Sequence, residues 1–433
     1  MTSVLLMRAR ETEFATTSRP VAPWKTVNGW FALLPTLFIA VGGWIQIGSG
    51  PVAFRFTAMA EDSFARRVTR IGCSLLMLVL ISRQFAKIVS VCKQRRFLLV
   101  LPVVAFISVL WSQNPNHSFV DAINLALTTL FSVYLYVRYP GERLISFLNL
   151  VAAVSLVMCV IAVVFLPSVG MDAYQQNSWR GIFGQRNNCA VVCVCFLALA
   201  LHHRTSSLGE RVIRWTVLVL ASVFIVMSGS RTGWALTAFA VALSLSMRLL
   251  QRLRSLDRVV FLMAIAVPIA ALVFVVATNF NQTLAMMDKD PTMTQRTVIW
   301  AEVIPSIAKH PIRGYGYSAF WSGLNGESMQ TVLVTGWMEG QAQDGYLDLL
   351  LQLGLLGAAP LIWMFGRGFI QAWRGIQRQA AAPQLQFATV LLPLVLVDNI
   401  GESSFLLPLS VPWFFTLLAL LILAQPAQHL EDL

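Results

Sequence analysis

An all-α, polytopic transmembrane helical bundle is the fold class this sequence predicts, and three observations predict it. Apolar residues make up 57% of the chain. Only 12% of residues are charged, against about a quarter in an ordinary soluble domain. The apolar residues also gather in runs long enough to cross a hydrocarbon core, which takes roughly 20 residues of helix.

About twelve such runs occur, centred near 29–48, 71–91, 97–112, 118–137, 145–167, 188–203, 212–228, 232–250, 259–278, 345–366, 385–400 and 405–425. The second and sixth are short, as re-entrant or tilted segments are. Residues 1–28 are polar and lack the apolar core and small-residue cleavage site of a removable signal, so they are expected to stay as a cytoplasmic tail. Helices one to nine are then expected over 29–278, a large, partly helical periplasmic loop over 279–344, helices ten to twelve over 345–425, and a second cytoplasmic tail over 426–433.

Lys and Arg set the orientation. With the N-terminus cytoplasmic, most of the 32 basic residues fall inside, in groups such as Arg83, Lys87, Lys93, Arg95 and Arg96, or Arg248, Arg252, Arg254 and Arg258, as the positive-inside rule requires. The net charge of +12 is thus a topology signal, and no nucleic-acid partner is expected. The six cysteines show no paired CxxC units, so neither a zinc site nor a disulfide framework is implied.

The outside exceptions are more informative. Arg55, Arg66, Arg67 and Arg70 cluster in the first outer loop, a local violation of the charge rule that means either contact with lipid headgroups or a miscounted first hairpin. RGIFGQRNN, 180–188, brings Arg180 and Arg186 beside a helix start, with Asn187 and Asn188 as candidate N-caps. Two planar guanidinium forks at a helix N-terminus favour an anion, although Arg also anchors ordinary interfacial loops. SGSRTGW, 228–234, puts Arg231 in a short turn at the membrane boundary, where it demands a partner such as phosphate or a lipid headgroup.

Within the long loop, 295–308 reads as an amphipathic helix that rests Val298, Trp300, Ile304 and Ile307 on the membrane and turns Arg296 elsewhere. HPIRGYGYSAFW follows, and the rings of Tyr315 and Tyr317 suit sugar faces or the membrane interface. WMEGQAQDGYLDLLLQLGLLG brings Glu339, Asp344 and Asp348 to the mouth of span ten, as general bases or as residues favoured by the helix dipole. Asp398, Asn399 and Glu402 close span eleven, where ionisable groups take a functional or pairing role.

Taken in this order, RGIFGQRNN, SGSRT, RTVIW with HPIRGYGYSAFW, and GYLDLLLQLGLLG resemble the O-antigen ligase and Wzy-type polysaccharide polymerase superfamily, most closely its ExoQ-like exopolysaccharide branch. Polymerases of xanthan-type gum are similar too. The resemblance implies a GT-C-like glycosyltransferase of the bacterial inner membrane, with its active site on the periplasmic face. It would move a glycan from undecaprenyl diphosphate onto another lipid-linked repeat, with no cofactor and no metal. The expected partners are the undecaprenyl-diphosphate-linked oligosaccharide, the lipid bilayer, a flippase and the chain-length or co-polymerase export proteins. An O-antigen or surface-polymer ligase, with another acceptor, is the alternative, and a lipid flippase is a more distant one.

Carried over residue by residue, Arg231 and Arg296 match the family's catalytic arginines, and Arg180 and Arg186 its positive positions around the Gly-rich motif. Two departures stand out. Gln185 and Gln343 occupy positions where the branch usually shows His, and Gln cannot act as a base at neutral pH. Either Asp344 or Glu339 then takes that role, or Gln343 positions the acceptor while leaving-group stabilisation does most of the work.

Overall fold

The computed structural model describes residues 27–40, 64–172, 178–250, 252–253, 257–258, 296–336, 340–378 and 382–424. The expected ninth span, the start of the long loop, Arg55, Glu339 and nearly all of both tails lie outside these residues, as do the side chains of Arg66 and Arg67. Regular structure among them is helical. In chain order the helices are α1 Val27–Ala40, α2 Phe64–Ser82, α3 Phe85–Gln94, α4 Phe97–Ser108, α5 Pro115–Arg138, α6 Glu142–Phe165, α7 Pro167–Gly170, α8 Arg186–Leu201, α9 Leu208–Met227, α10 Arg231–Leu250, α11 Arg296–Lys309, α12 Met329–Thr335, α13 Gly345–Gln377, α14 Pro383–Asp398 and α15 Val411–Leu423.

Four of these, α5, α6, α10 and α13, are long and apolar enough to cross a membrane. A fifth is added if α2 and α3 count as one segment, but they meet at a bend of 84°. The run at 71–91, short enough in sequence to suggest a re-entrant or tilted segment, is an elbow. Its second arm explains why: Ile88 and Cys92 turn inward one helical turn apart, while Lys87 and Lys93 face out. That is the pattern of a helix lying along an interface rather than crossing it.

Centrality follows from sequence. Every residue of α15 is buried, as is α8 from Cys189 to Ala200, and a helix apolar all round belongs in the middle of a bundle. Small residues let neighbours close in. A Cβ on Gly233 would lie 2.5 Å from that of Ala190, so α10 crosses α8 near the N-terminal ends of both. Away from those ends, arginines close the helix C-termini. Arg214 donates to Ala200 O at 3.0 Å, Arg248 to Leu201 O, Arg258 to Leu250 O and Arg95 to Leu421 O. Basic side chains that follow the positive-inside pattern thus also satisfy orphan carbonyls and the helix dipole.

One span departs from expectation. α13 is broken at Gly354, where φ is +55°, so 345–366 is not one straight crossing. The loop segment 311–316 fills the break. Tyr315 N and Gly316 N donate to the freed Leu351 and Gln352 carbonyls at 2.8 and 3.0 Å, and Leu355 N and Leu356 N donate to Pro311 and Ile312 at 2.9 and 3.0 Å. Unpaired backbone within an apolar bundle is costly, and here the protein supplies every partner itself. The same segment is tied to the α4–α5 corner, Ser118 Oγ donating to Tyr317 O and Tyr317 N to Ser108 Oγ.

The loop helix differs too. Its buried stripe is Ile299, Val303 and Ser306, packed with Tyr315, Phe320, Ala342 and Leu351. Of the four residues expected to rest on the membrane, Ile304 is exposed, whereas Trp300 and Ile307 pack against that cluster.

Candidate functional site

The turn that links α14 to α15, residues 399–404, is where distant parts of the chain meet. Asn399 is fully buried and makes the turn rigid. Its Oδ1 accepts from Ser404 N and Phe405 N, both at 2.9 Å, and its Nδ2 donates to Val395 O and Ser404 Oγ. Its carbonyl accepts from Gly345 N at 2.8 Å, which fastens the start of α13 to the turn. A side chain at 345 has no room, since a Cβ there would lie 1.9 Å from Asn399 Oδ1.

Three more helix starts reach the same turn. Asn187, in the first turn of α8, donates to Glu402 Oε1 at 3.0 Å. Arg296, the first residue of α11, faces Glu402 Oε1 at 3.5 Å and donates to Gln343 Oε1 at 3.4 Å. Thr232, in the first turn of α10, and the Arg296 guanidinium both flank Gly401. Four helix N-termini therefore gather around one turn, each bringing the positive end of its dipole, although Asp344 caps α13 and Ser230 Oγ accepts from Gly233 N in α10. Such an assembly attracts anions.

The arginines add formal charge. Arg231 opens α10 and is exposed, with no hydrogen bond or ion pair to any described residue. Arg186 opens α8 and spends one long contact, 3.4 Å, on Gly229 O. Arg296 is already shared between Glu402 and Gln343. Gln343 holds a left-handed φ of +56°, a conformation that costs a non-glycine residue about 1–3 kcal/mol and is retained where the surroundings impose it.

Two acids differ in how they are used. Asp344 is the N-cap of α13, its Oδ1 accepting from Tyr346 N and Leu347 N at 2.9 Å each. Burial pushes its carboxyl above the usual range, and those two amides and Arg296 pull part of the way back. Asp348 is buried and accepts from Trp321 Nε1, Ala342 N and Ser403 Oγ. It ties the long loop to the 399–404 turn through these three bonds. Glu402 is also held above the usual range by burial, with Arg296 and Asn187 opposing.

Several expected site residues take other roles. Arg180 is a brace: its guanidinium donates to Val169 O at 3.0 Å, Ser168 O at 3.1 Å and Gly184 O at 3.4 Å, which holds the RGIFG turn against the end of α6 and α7. Tyr315 and Tyr317 are buried, donating to Ser306 O and Leu406 O, so their faces are closed to a sugar. Asn187 and Asn188 are not caps, because Gln185 holds the N-cap position of α8. The functional or pairing role expected of Glu402 at the end of span eleven takes the form of pairing, but its partner Asn187 is 215 residues away and the sequence does not join the two.

Residues 216–362 match the O-antigen ligase family model. The chain is also similar to the exopolysaccharide production protein ExoQ of Rhizobium meliloti (strain 1021), 25% identical over 201 residues, which is 45% of this chain and 46% of that protein. The match thus spans about half the length of that relative. Within 216–362 lie Arg231, Arg296, Gln343 and Asp344, while Arg186, Asn187 and Glu402 come from outside it.

Proposed function

We propose, for a chain that resembles the O-antigen ligase and Wzy-type superfamily and its ExoQ-like branch, that it is a glycosyltransferase of the bacterial inner membrane that polymerises lipid-linked exopolysaccharide repeats. The observation that carries this reading is the meeting of four helix N-termini at the 399–404 turn, three of them on helices that open with Arg186, Arg231 and Arg296. A lipid diphosphate is the anion such a site fits, with its polyprenyl tail left in the bilayer. Roughly twelve crossings with both termini cytoplasmic would put the site on the periplasmic face.

The chemistry needs three things. A hydroxyl of the acceptor repeat attacks the anomeric carbon of the donor glycan, a new C–O bond forms, and the bond from that carbon to the diphosphate breaks. The electron pair leaves with undecaprenyl diphosphate. Guanidinium groups and helix N-termini held in place beforehand stabilise the charge that develops there, as cationic clamps do in other phosphate-leaving reactions. Arg231 is poised for this because nothing described competes for it, and Arg's planar fork matches phosphate oxygens two at a time. Gln343 can orient the acceptor hydroxyl but cannot deprotonate it.

Polymerisation is favoured over ligation by the likeness to an exopolysaccharide production protein. Xanthan-type repeats are the first donors to try. A flippase that delivers the repeats and a co-polymerase that sets chain length are the proposed partners. In cells, Arg231→Ala and Arg296→Ala should each abolish polymer while protein level and lipid-linked repeats persist. Wild-type polymer in both variants overturns the reading.

A further inference from the structure

We propose that Glu402 takes the proton from the acceptor hydroxyl, and that Arg296 exchanges Glu402 for the donor diphosphate when the donor arrives. This rests on the glycosyl-transfer reading above and names the base within that same site. Each other described acid near the turn carries a structural load. Asp344 Oδ1 caps α13 with two amide bonds, so its carboxylate anchors the helix start, a load that Glu402 does not carry. Asp348 is buried and holds Trp321, Ala342 and Ser403 together. Asp398 is buried, with Oδ2 held by Ser404 and Oδ1 sealed away from any partner. Of the histidines in the expected outer loops, His117 pairs with Asp121 and His310 packs edge-on against Tyr315, both away from the turn.

Glu402 is placed differently. It touches Arg296 and Asn187 through Oε1 alone, and no described group bonds Oε2. Its side chain is 10% exposed, so it is neither sealed in nor free to swing in solvent. The charged groups that face it are Arg296 from α11 and, from its own side, Asp398.

The geometry couples donor binding to basicity. At 3.5 Å the Arg296 contact is well beyond the roughly 2.7–2.9 Å of a strong charge-assisted bond, so a diphosphate can draw the guanidinium away. A cation beside a carboxylate weakens it as a base, and withdrawing that cation strengthens it. Proton transfer then balances simply: the hydroxyl oxygen bonds the anomeric carbon, its proton passes to Glu402 and on to water, and the diphosphate leaves with the broken bond's electrons. Before the donor arrives, Arg296 keeps Glu402 a poorer base, which limits the activation of water in an empty site.

The test uses purified full-length protein in detergent, with lipid-linked repeats extracted from cells that lack this gene as substrate. Glu402→Gln should lower kcat by about 100-fold, leave the donor KM within a few-fold, and remove the acid limb of the pH profile. Glu402→Asp should keep a reduced rate and an acid limb. Glu402→Gln with a rate within twofold of wild type overturns the proposal, as does a raised KM with unchanged kcat, which would make Glu402 only a support for Arg296. Loss of the acid limb in Asp344→Asn but not in Glu402→Gln would assign the proton to Asp344 instead. Should Glu402→Gln fail to fold, the acid limb of Glu402→Asp decides, a displaced limb supporting the proposal and an unmoved one overturning it. A wild-type protein that lengthens nothing sinks the glycosyl-transfer reading itself, and Glu402 as base with it.

Discussion

Replacing Gly345 by Ala is the sharpest perturbation of the site that leaves every functional side chain in place. The added Cβ would sit 1.9 Å from Asn399 Oδ1, 2.7 Å from Cγ and 3.0 Å from Cβ, so the end of no flexible side chain can yield. Either α13 backs away from the turn, breaking the 2.8 Å bond from Gly345 N to Asn399 O, or the Asn399 side chain is driven out. In the second case the amides of Ser404 and Phe405 lose their acceptor. Two buried donors left unpaired cost about 1–3 kcal/mol each. Alanine's better helix propensity returns at most about 1 kcal/mol, so a net loss of about 1–5 kcal/mol is expected. Thermal unfolding in detergent, followed by circular dichroism, reads the effect directly. Gly366→Ala in the same helix is the control, since nothing lies within 4 Å of a Cβ there. Gly345→Ala should unfold several degrees below both wild type and the control and lose transfer. A midpoint and activity equal to the control would refute the account of the turn.

Gly354→Ala should be as damaging, because φ is +55° and the Cβ would lie 2.6 Å from the carbonyl of Ile312; proteolysis of 310–317 should rise with it if the loop is expelled from the break. Arg180→Ala should lower the unfolding midpoint through the loss of bonds to three carbonyls, while Arg231→Ala, which removes a group with no described partner, should leave the midpoint unchanged and remove activity. Asp344→Ala should cost about 0.5–2 kcal/mol as a lost helix cap, and Asp344→Asn little, read by the same melts. Burial raises Glu402 above its unfolded value, so the fold binds its proton more tightly than the unfolded chain does. Stability should therefore fall as pH rises from roughly 4.3, the unfolded value, through the folded one. Glu402→Gln should gain on wild type across that window, and a constant difference would contradict the buried placement.

Much of the helical frame was legible because apolar runs report burial directly. The run at 118–137 became α5 and that at 232–250 became α10, with ends set by Asn114, whose side chain caps α5, and by Ser230, which caps α10. The shortness of the second run pointed to a re-entrant or tilted segment, but the bend at Ser82–Phe85 has no local mark, because its second arm is still half apolar and only the i, i+4 spacing of Ile88 and Cys92 betrays its direction. The break at Gly354 was missed for a different reason. A glycine in a Leu-rich run reads as helix packing, and the loop that fills the break lies some forty residues earlier. Motifs single out Arg231, Arg296, Gln343 and Asp344 as candidates because the family resemblance is local. They misread Tyr315, Tyr317 and Arg180, since a ring or a guanidinium looks the same in sequence whether it meets a substrate or a backbone carbonyl. Glu402 depends on partners from α8 and α11, and no local pattern encodes that.

The most direct test of the central claim is elongation by the protein alone. Purified protein is mixed with undecaprenyl-diphosphate-linked repeats extracted from cells lacking this gene, without nucleotide sugar, and the products are sized by gel or mass spectrometry. The account predicts ladders of repeat multiples on lipid, with free undecaprenyl diphosphate released once per bond formed, and neither product from Arg231→Ala or Arg296→Ala. Repeats that stay monomeric with the wild-type protein, or ladders of equal length from both arginine variants, would contradict it.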